Sequence, residues 1–78
     1  MEKQLIHEMK IRKVKEMKKP VIYMNDKDFE LLVEEIKLKV SGFKPSKNPT
    51  YQGIPIINRP FFAKGIIYFI DQASYTKY

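Results

Sequence analysis

The sequence predicts an α+β fold: one small domain in which a three-stranded, mainly antiparallel sheet is covered by one helix over 26–40, with a basic helix preceding it. Three observations predict it. Val21-Ile22-Tyr23-Met24 is a β-branched and aromatic run, the composition of a short strand. Phe29, Leu32, Val33, Ile36 and Val40 recur at helical spacing and form one apolar face. Gly53-Ile54-Pro55-Ile56-Ile57 and Gly65-Ile66-Ile67-Tyr68-Phe69-Ile70-Asp71 are two further apolar runs bounded by turn formers, and they read as a strand pair.

The elements follow in order. Residues 2–18 contain no Gly or Pro and are rich in Lys, Glu, Met and Leu, good helix formers. Leu5, Ile6, Met9, Val14 and Met17 lie broadly on one side, with Ile11 outside the stripe. Such a helix is marginal alone and needs a partner surface; an extended arm is the alternative, because charge dominates from Lys10 to Lys19. Pro20 ends the segment either way, since the residue before proline is pushed out of the helical region. Asn25 is an N-cap whose side-chain oxygen can accept an orphaned backbone N–H. Asp26, Asp28 and Glu30 put negative charge at the positive end of the helix dipole. Glu35 and Lys39 stand four apart and are expected to pair on the wet side. Gly42 is expected to supply a left-handed stop.

Phe43 to Thr50 reads as a solvated loop, with Pro45, Ser46, Asn48 and Pro49 as turn formers. Tyr51 to Ile57 reads as one strand. Pro55 cannot donate to a ladder, so that strand is expected at an edge or with a bulge. Asn58-Arg59-Pro60 turns the chain, and Phe61-Phe62 pack back or extend the hairpin. Ile66 to Ile70 is continuously apolar, the pattern of a strand covered on both faces. Tyr75 and Tyr78 fall in a polar tail.

Composition narrows the chemistry. A chain of 78 residues buries roughly 60% of its unfolded surface, so its stability margin is thin. With no Cys, disulfides, thiolate metal sites and thiol nucleophiles are excluded. No apolar run approaches the roughly 20 residues that span a bilayer, and the N-terminus lacks a secretory pattern, so an intracellular protein without membrane contact is expected. The net charge of +6 is uneven: +4 over residues 1–20, −2 over 21–40 and +4 over 41–78. A basic balance favours anionic partners.

Catalytic signatures are missing from the pattern. Asn25 to Glu30 places oxygen ligands at alternate positions like the start of a calcium loop, but lacks its glycine and distal glutamate, so helix capping is the better reading. His7 is the single histidine; with no Cys and no acid–His motif to make it a metal or triad candidate, a neutral surface histidine is the better reading. Ser41, Ser46 and Ser74 sit in turn or tail contexts without a nucleophile elbow. Gly42, Gly53 and Gly65 are isolated, so no phosphate loop forms. No cofactor, no metal site and no enzymatic activity are expected. The basic run Lys10, Arg12, Lys13, Lys15, Lys18 and Lys19 could meet phosphates, and Tyr51, Tyr68, Phe61 and Phe62 could stack on bases.

The order of several short motifs carries a resemblance. Val21 to Asn25, then Phe29 and Leu32 on a helix, Tyr51 to Ile57, Pro60, and Gly65 to Asp71 with Ser74-Tyr75 together resemble the axial domain of tailed-bacteriophage major capsid proteins. There a strand ending in Met-Asn leads into a helix, a Gly-x-Pro-hydrophobic strand follows, and a hairpin strand ends at an acidic residue near a Tyr. The resemblance covers about residues 20–78, leaving 1–19 as a basic helical arm. Seventy-eight residues leave no room for the spine helix, peripheral domain and extended loop of a whole shell subunit. It implies a stand-alone relative of one capsid domain, or a small phage protein reusing the module, in the host cytoplasm or the virion. The implied activity is protein–protein contact in virion assembly or phage–host interaction, with a capsid or host protein as partner and homo-oligomers allowed. Its contact surfaces are expected at Met9, Lys10, Arg12, Lys13, Lys15 and Met17, and at Arg59, Phe61 and Phe62. The alternatives are a nucleic-acid-binding accessory protein using residues 10–19, and a small inhibitor or trigger of a host defence enzyme.

Overall fold

The computed structural model describes residues 1–75; Tyr78 of the expected tail lies outside them. Helix α1 spans Glu2–Ile11, strand β1 Pro20–Asn25 and helix α2 Asp26–Lys39. Strands β2, β3 and β4 span Thr50–Tyr51, Ile54–Arg59 and Tyr68–Asp71. Short 3-10 turns occupy Val14–Glu16 and Gln72–Tyr75.

The four strands form one mixed sheet in the order β2-β3-β1-β4. β1 is parallel to β3, with Tyr23 opposite Ile57, and antiparallel to β4, with Tyr23 opposite Tyr68. The expected three-stranded, mainly antiparallel sheet is therefore wrong. So is the hairpin between the 51–57 and 65–70 runs: β1 lies between β3 and β4. The connection from β1 through α2 to β3 is a crossover, and a crossover returns a strand parallel to the first.

The hairpin that does form is local. Tyr51 faces Ile54 across the two-residue turn Gln52-Gly53, both with positive φ (51° and 80°). That pair of signs belongs to the primed turns that match the twist of antiparallel strands. Pro55 consequently sits near the start of an internal strand, opposite Thr50 of the two-residue β2, rather than at an edge. The pairing with the preceding chain continues past it, since the Ile56 N–H donates to the Pro49 carbonyl at 2.9 Å. The apolar 66–70 run is also not a doubly covered strand. β4 is an edge strand, Ile66 precedes it and is exposed, and Tyr68 is exposed within it.

The core lies on one face of the sheet. Ile22, Met24 and Ile56 point into it, joined by Leu5 from α1, Leu32 from α2, Tyr51 and Ile67. Phe29 and Ile36 of α2 pack against this cluster, and Val33 is buried. Asn25 caps α2 as expected, accepting the Lys27 N–H at 2.8 Å. The helix stops one residue earlier than expected: Val40 is extended and exposed, and Gly42 (φ +78°) serves the next turn, closed by Phe43 N–H to the Val40 carbonyl. The expected helix over 2–18 is likewise shorter. α1 ends at Ile11, and Lys13 takes the left-handed conformation (φ 52°, ψ 48°) before the 3-10 turn.

Glu35 and Lys39 do not pair with each other. Glu35 accepts the Met1 ammonium at 2.9 Å and the Glu2 N–H at 2.8 Å, while Lys39 bonds Glu2 at 2.6 Å. The start of α1 supplies better partners than the i,i+4 neighbour: an ammonium, and a carboxylate that also accepts the Tyr51 hydroxyl at 2.8 Å.

Candidate functional site

Two surfaces gather the residues that sequence reasoning singled out. The first is a groove of about 840 Å³ between the end of α1, the 3-10 turn and the starts of β1 and β3. Its apolar lining comes from Ile6, Met9, Val14, Met17 and Ile54. Lys10, Lys13 and Lys15 also line it, with Glu16 as the single acid of the lining, and Pro20 and Gln52 complete it. The local conformation explains the gathering. A continuous helix through residue 18 would have carried Met17 about 12 Å along its axis from Met9. The left-handed Lys13 instead reverses the chain, so that Val14 folds inward, 3% exposed, and Met17 returns beside Met9. Arg12 is left outside, pairing with Glu8 at 3.6 Å.

The segment beyond the turn is held by Asp71. Its carboxylate accepts the N–H groups of Lys19 at 3.0 Å, Lys18 at 3.2 Å and Ala73 at 3.1 Å. These donors, Lys19 first, hold its pKa below the ordinary Asp value. The other end of α1 is held by the cluster around Glu2. The Lys39 bond lowers the Glu2 pKa, the N-terminal ammonium lowers that of Glu35, and the Glu2 bond raises that of Lys39. Burial, with help from the Glu2 bond, pushes the Tyr51 hydroxyl up to about 12.

The second surface collects Arg59, Phe61 and Phe62 at the far end of β3. From Ile54 to Arg59 a strand advances about 16 Å, so the two surfaces lie at opposite ends of the sheet. Phe62 packs edge-on to Tyr23 at 5.6 Å and tilted against Tyr68 at 5.8 Å, and Phe61 lies 4.7 Å from Phe62 between ring centres. Phe61 is 76% exposed. This is a rigidly mounted loop. The Asn25 amide donates to the carbonyls of Phe62 at 2.6 Å and Pro60 at 3.2 Å, and the buried Asp28 accepts the Gly65 N–H at 2.7 Å.

Sequence reasoning, which placed Ile6 on the N-terminal apolar stripe, did not find Gln52 and Ile54 in the groove or Tyr23 among the rings. Tyr23 had only the signal of a strand residue, and its cross-strand partner Tyr68 becomes visible only with the register. Tyr51, grouped there with the stacking rings, is buried and bonded to Glu2. Among the described residues no helix is long and apolar enough to cross a membrane. No protein-family model, curated protein or solved structure matches this chain.

Proposed function

We propose that this chain is a non-enzymatic binding module whose Lys10–Met17 groove takes an acidic, amphipathic segment of a partner protein. One observation carries the reading: an apolar groove whose lining also holds three lysines and one glutamate. An amphipathic segment would bury its apolar stripe against Met9, Val14 and Met17, and its carboxylates would meet Lys10, Lys13 and Lys15. The two methionines are unbranched and polarizable, suited to side chains of varied shape. The setting in which such a module works is phage particle assembly or a phage–host contact, host defence enzymes included; the order of its motifs supports that, whereas the hairpin the resemblance implied is not formed. Binding of nucleic acid by residues 10–19 is less well supported, because the rings that could stack on bases lie at the other end of the sheet.

Selection from a random peptide display library tests the proposal, with the Met9→Asp variant as counter-selection. Peptides enriched on the natural chain should carry acidic residues beside apolar ones at helical spacing. They should bind Met9→Asp about 30-fold more weakly, the size expected for a desolvated anchor. Enrichment that ignores Met9, or peptides without acidic residues, would overturn it.

A further inference from the structure

Helices α1 and α2 pack on the same face of the sheet, through Leu5 and Leu32. On the other face Ile57, Tyr23 and Tyr68 form a cross-strand row over β3, β1 and β4, with Phe62 packed on the two tyrosines and Phe61 beside it. Alternation along the strands brings Pro55, Arg59, Val21 and Ile70 to the same face; Val21 is buried there and the Gln72 amide donates to the Tyr23 hydroxyl at 3.4 Å, so the open part is the end that carries Tyr68, Phe61 and Arg59. Among the described residues, the cations of this face and its loop are Arg59 and Lys64, and both are exposed. Of the nearby carboxylates, Asp28 is buried against Gly65 and Asp71 holds the backbone of Lys18 and Lys19, while Asp26, which follows the Arg59 register partner Asn25, is partly exposed.

We infer that this open face is a second site, for a few nucleotides of single-stranded nucleic acid. Rings half-exposed on a sheet offer stacking surfaces to bases of any sequence, and flanking cations meet the backbone phosphates. The loop that carries Phe61 is already fixed by Asn25 and Asp28, so little ordering entropy opposes binding. The site is separate from the groove, so both can be filled at once.

Fluorescence polarisation with labelled oligo-dT of ten nucleotides tests this. Phe61→Ala and Tyr68→Ala should each weaken binding about tenfold, and Lys44→Gln, in the 43–49 loop, should leave it unchanged. Because Phe61 is so exposed, its removal should preserve the fold, which circular dichroism would verify; Arg59→Ser gives an independent second variant. Two phosphate contacts predict a shallow salt dependence, a slope of about −1.4 in log K against log salt. Quenching of tyrosine emission should accompany binding, since the chain has no Trp. Three results would overturn the inference. Binding indifferent to Phe61 is the first. Loss on combining Lys13→Gln with Lys15→Gln, with a slope of −3 or steeper, is the second, because it would put the strand in the groove. The third is failure to bind, with a dimer in sedimentation that Phe61→Ala dissolves, which would assign the face to a second copy.

Discussion

The N-terminal segment and the 60–66 loop both lie outside the sheet, yet they are fixed by opposite means. Residues 1–17 are fixed chiefly by apolar burial, Leu5 at 0% exposure in the core and Val14 at 3%, with carboxylates securing the ends. The 60–66 loop contributes little apolar burial of its own and is fixed by two buried polar side chains, Asn25 and Asp28, that reach it from the β1–α2 junction. Burial is tolerant of exact geometry, whereas hydrogen bonds are not. The groove built on the first region can therefore adjust to its occupant, and the ring platform built on the second is held in one arrangement.

Leu5→Ala should be the most damaging single substitution. Truncating a fully buried leucine costs about 2–5 kcal/mol, against a total of roughly 4–12 for a chain of this length. Urea unfolding should show a large drop in midpoint with a single transition. A cost below about 1 kcal/mol would mean that α1 is an appendage rather than part of the core. Next in size is Asn25→Asp, expected to cost about 2 kcal/mol. The carboxylate still caps α2, but it removes both amide donors and faces the carbonyls of Pro60 and Phe62. Hydrogen exchange should accelerate at 61–65 while α2 stays protected. Equal acceleration in both would show that the cap, not the loop bond, is what Asn25 provides.

What could be read from the residues follows the same division. α2 and β1 were legible because periodicity, β-branching and an Asn cap are local signals. Strand order was not, because Gly53–Ile57 and Gly65–Ile70 each look like a partner for the other, and only the crossover decides that β1 separates them. The Gln52-Gly53 turn was hidden because Gln seldom adopts positive φ. At the groove, the residue types from Met9 to Met17 drew attention, but their convergence depends on the left-handed Lys13, which nothing in the local sequence marks. Glu35 and Lys39 show the limit most plainly: a favourable local pair gives way to partners 33 to 37 positions away.

Lys13→Gly separates fold from binding at the next smaller scale. A left-handed lysine is strained, and glycine relieves that strain while loosening the unfolded chain, for a net gain of up to about 1 kcal/mol. Thermal stability should rise slightly while affinity for acidic amphipathic peptides falls with the lost cation. A stabilised variant that binds as well as before would remove Lys13 from the groove's function.

The smallest effects belong to the carboxylate cluster, whose members are partly exposed and screened. Glu2, Glu35 and Asp71 all titrate below their ordinary values of 4.5, 4.5 and 3.8. As pH falls, the unfolded chain takes up these protons first, so stability is lost from about pH 4.5 downward. At the alkaline end the order reverses. Tyr51 keeps its proton to about 12 when folded and loses it near 10 when unfolded, so the folded state weakens between those values as pH rises. Lysine titration adds a background descent there, to which Lys39, raised by Glu2, contributes in the same direction. Tyr51→Phe isolates the difference: its urea midpoint should decline less than that of the natural chain from pH 10 to 11. Parallel declines would show that the Tyr51–Glu2 bond does not tie β2 to α1, leaving Leu5 as the main hold on the N-terminal segment.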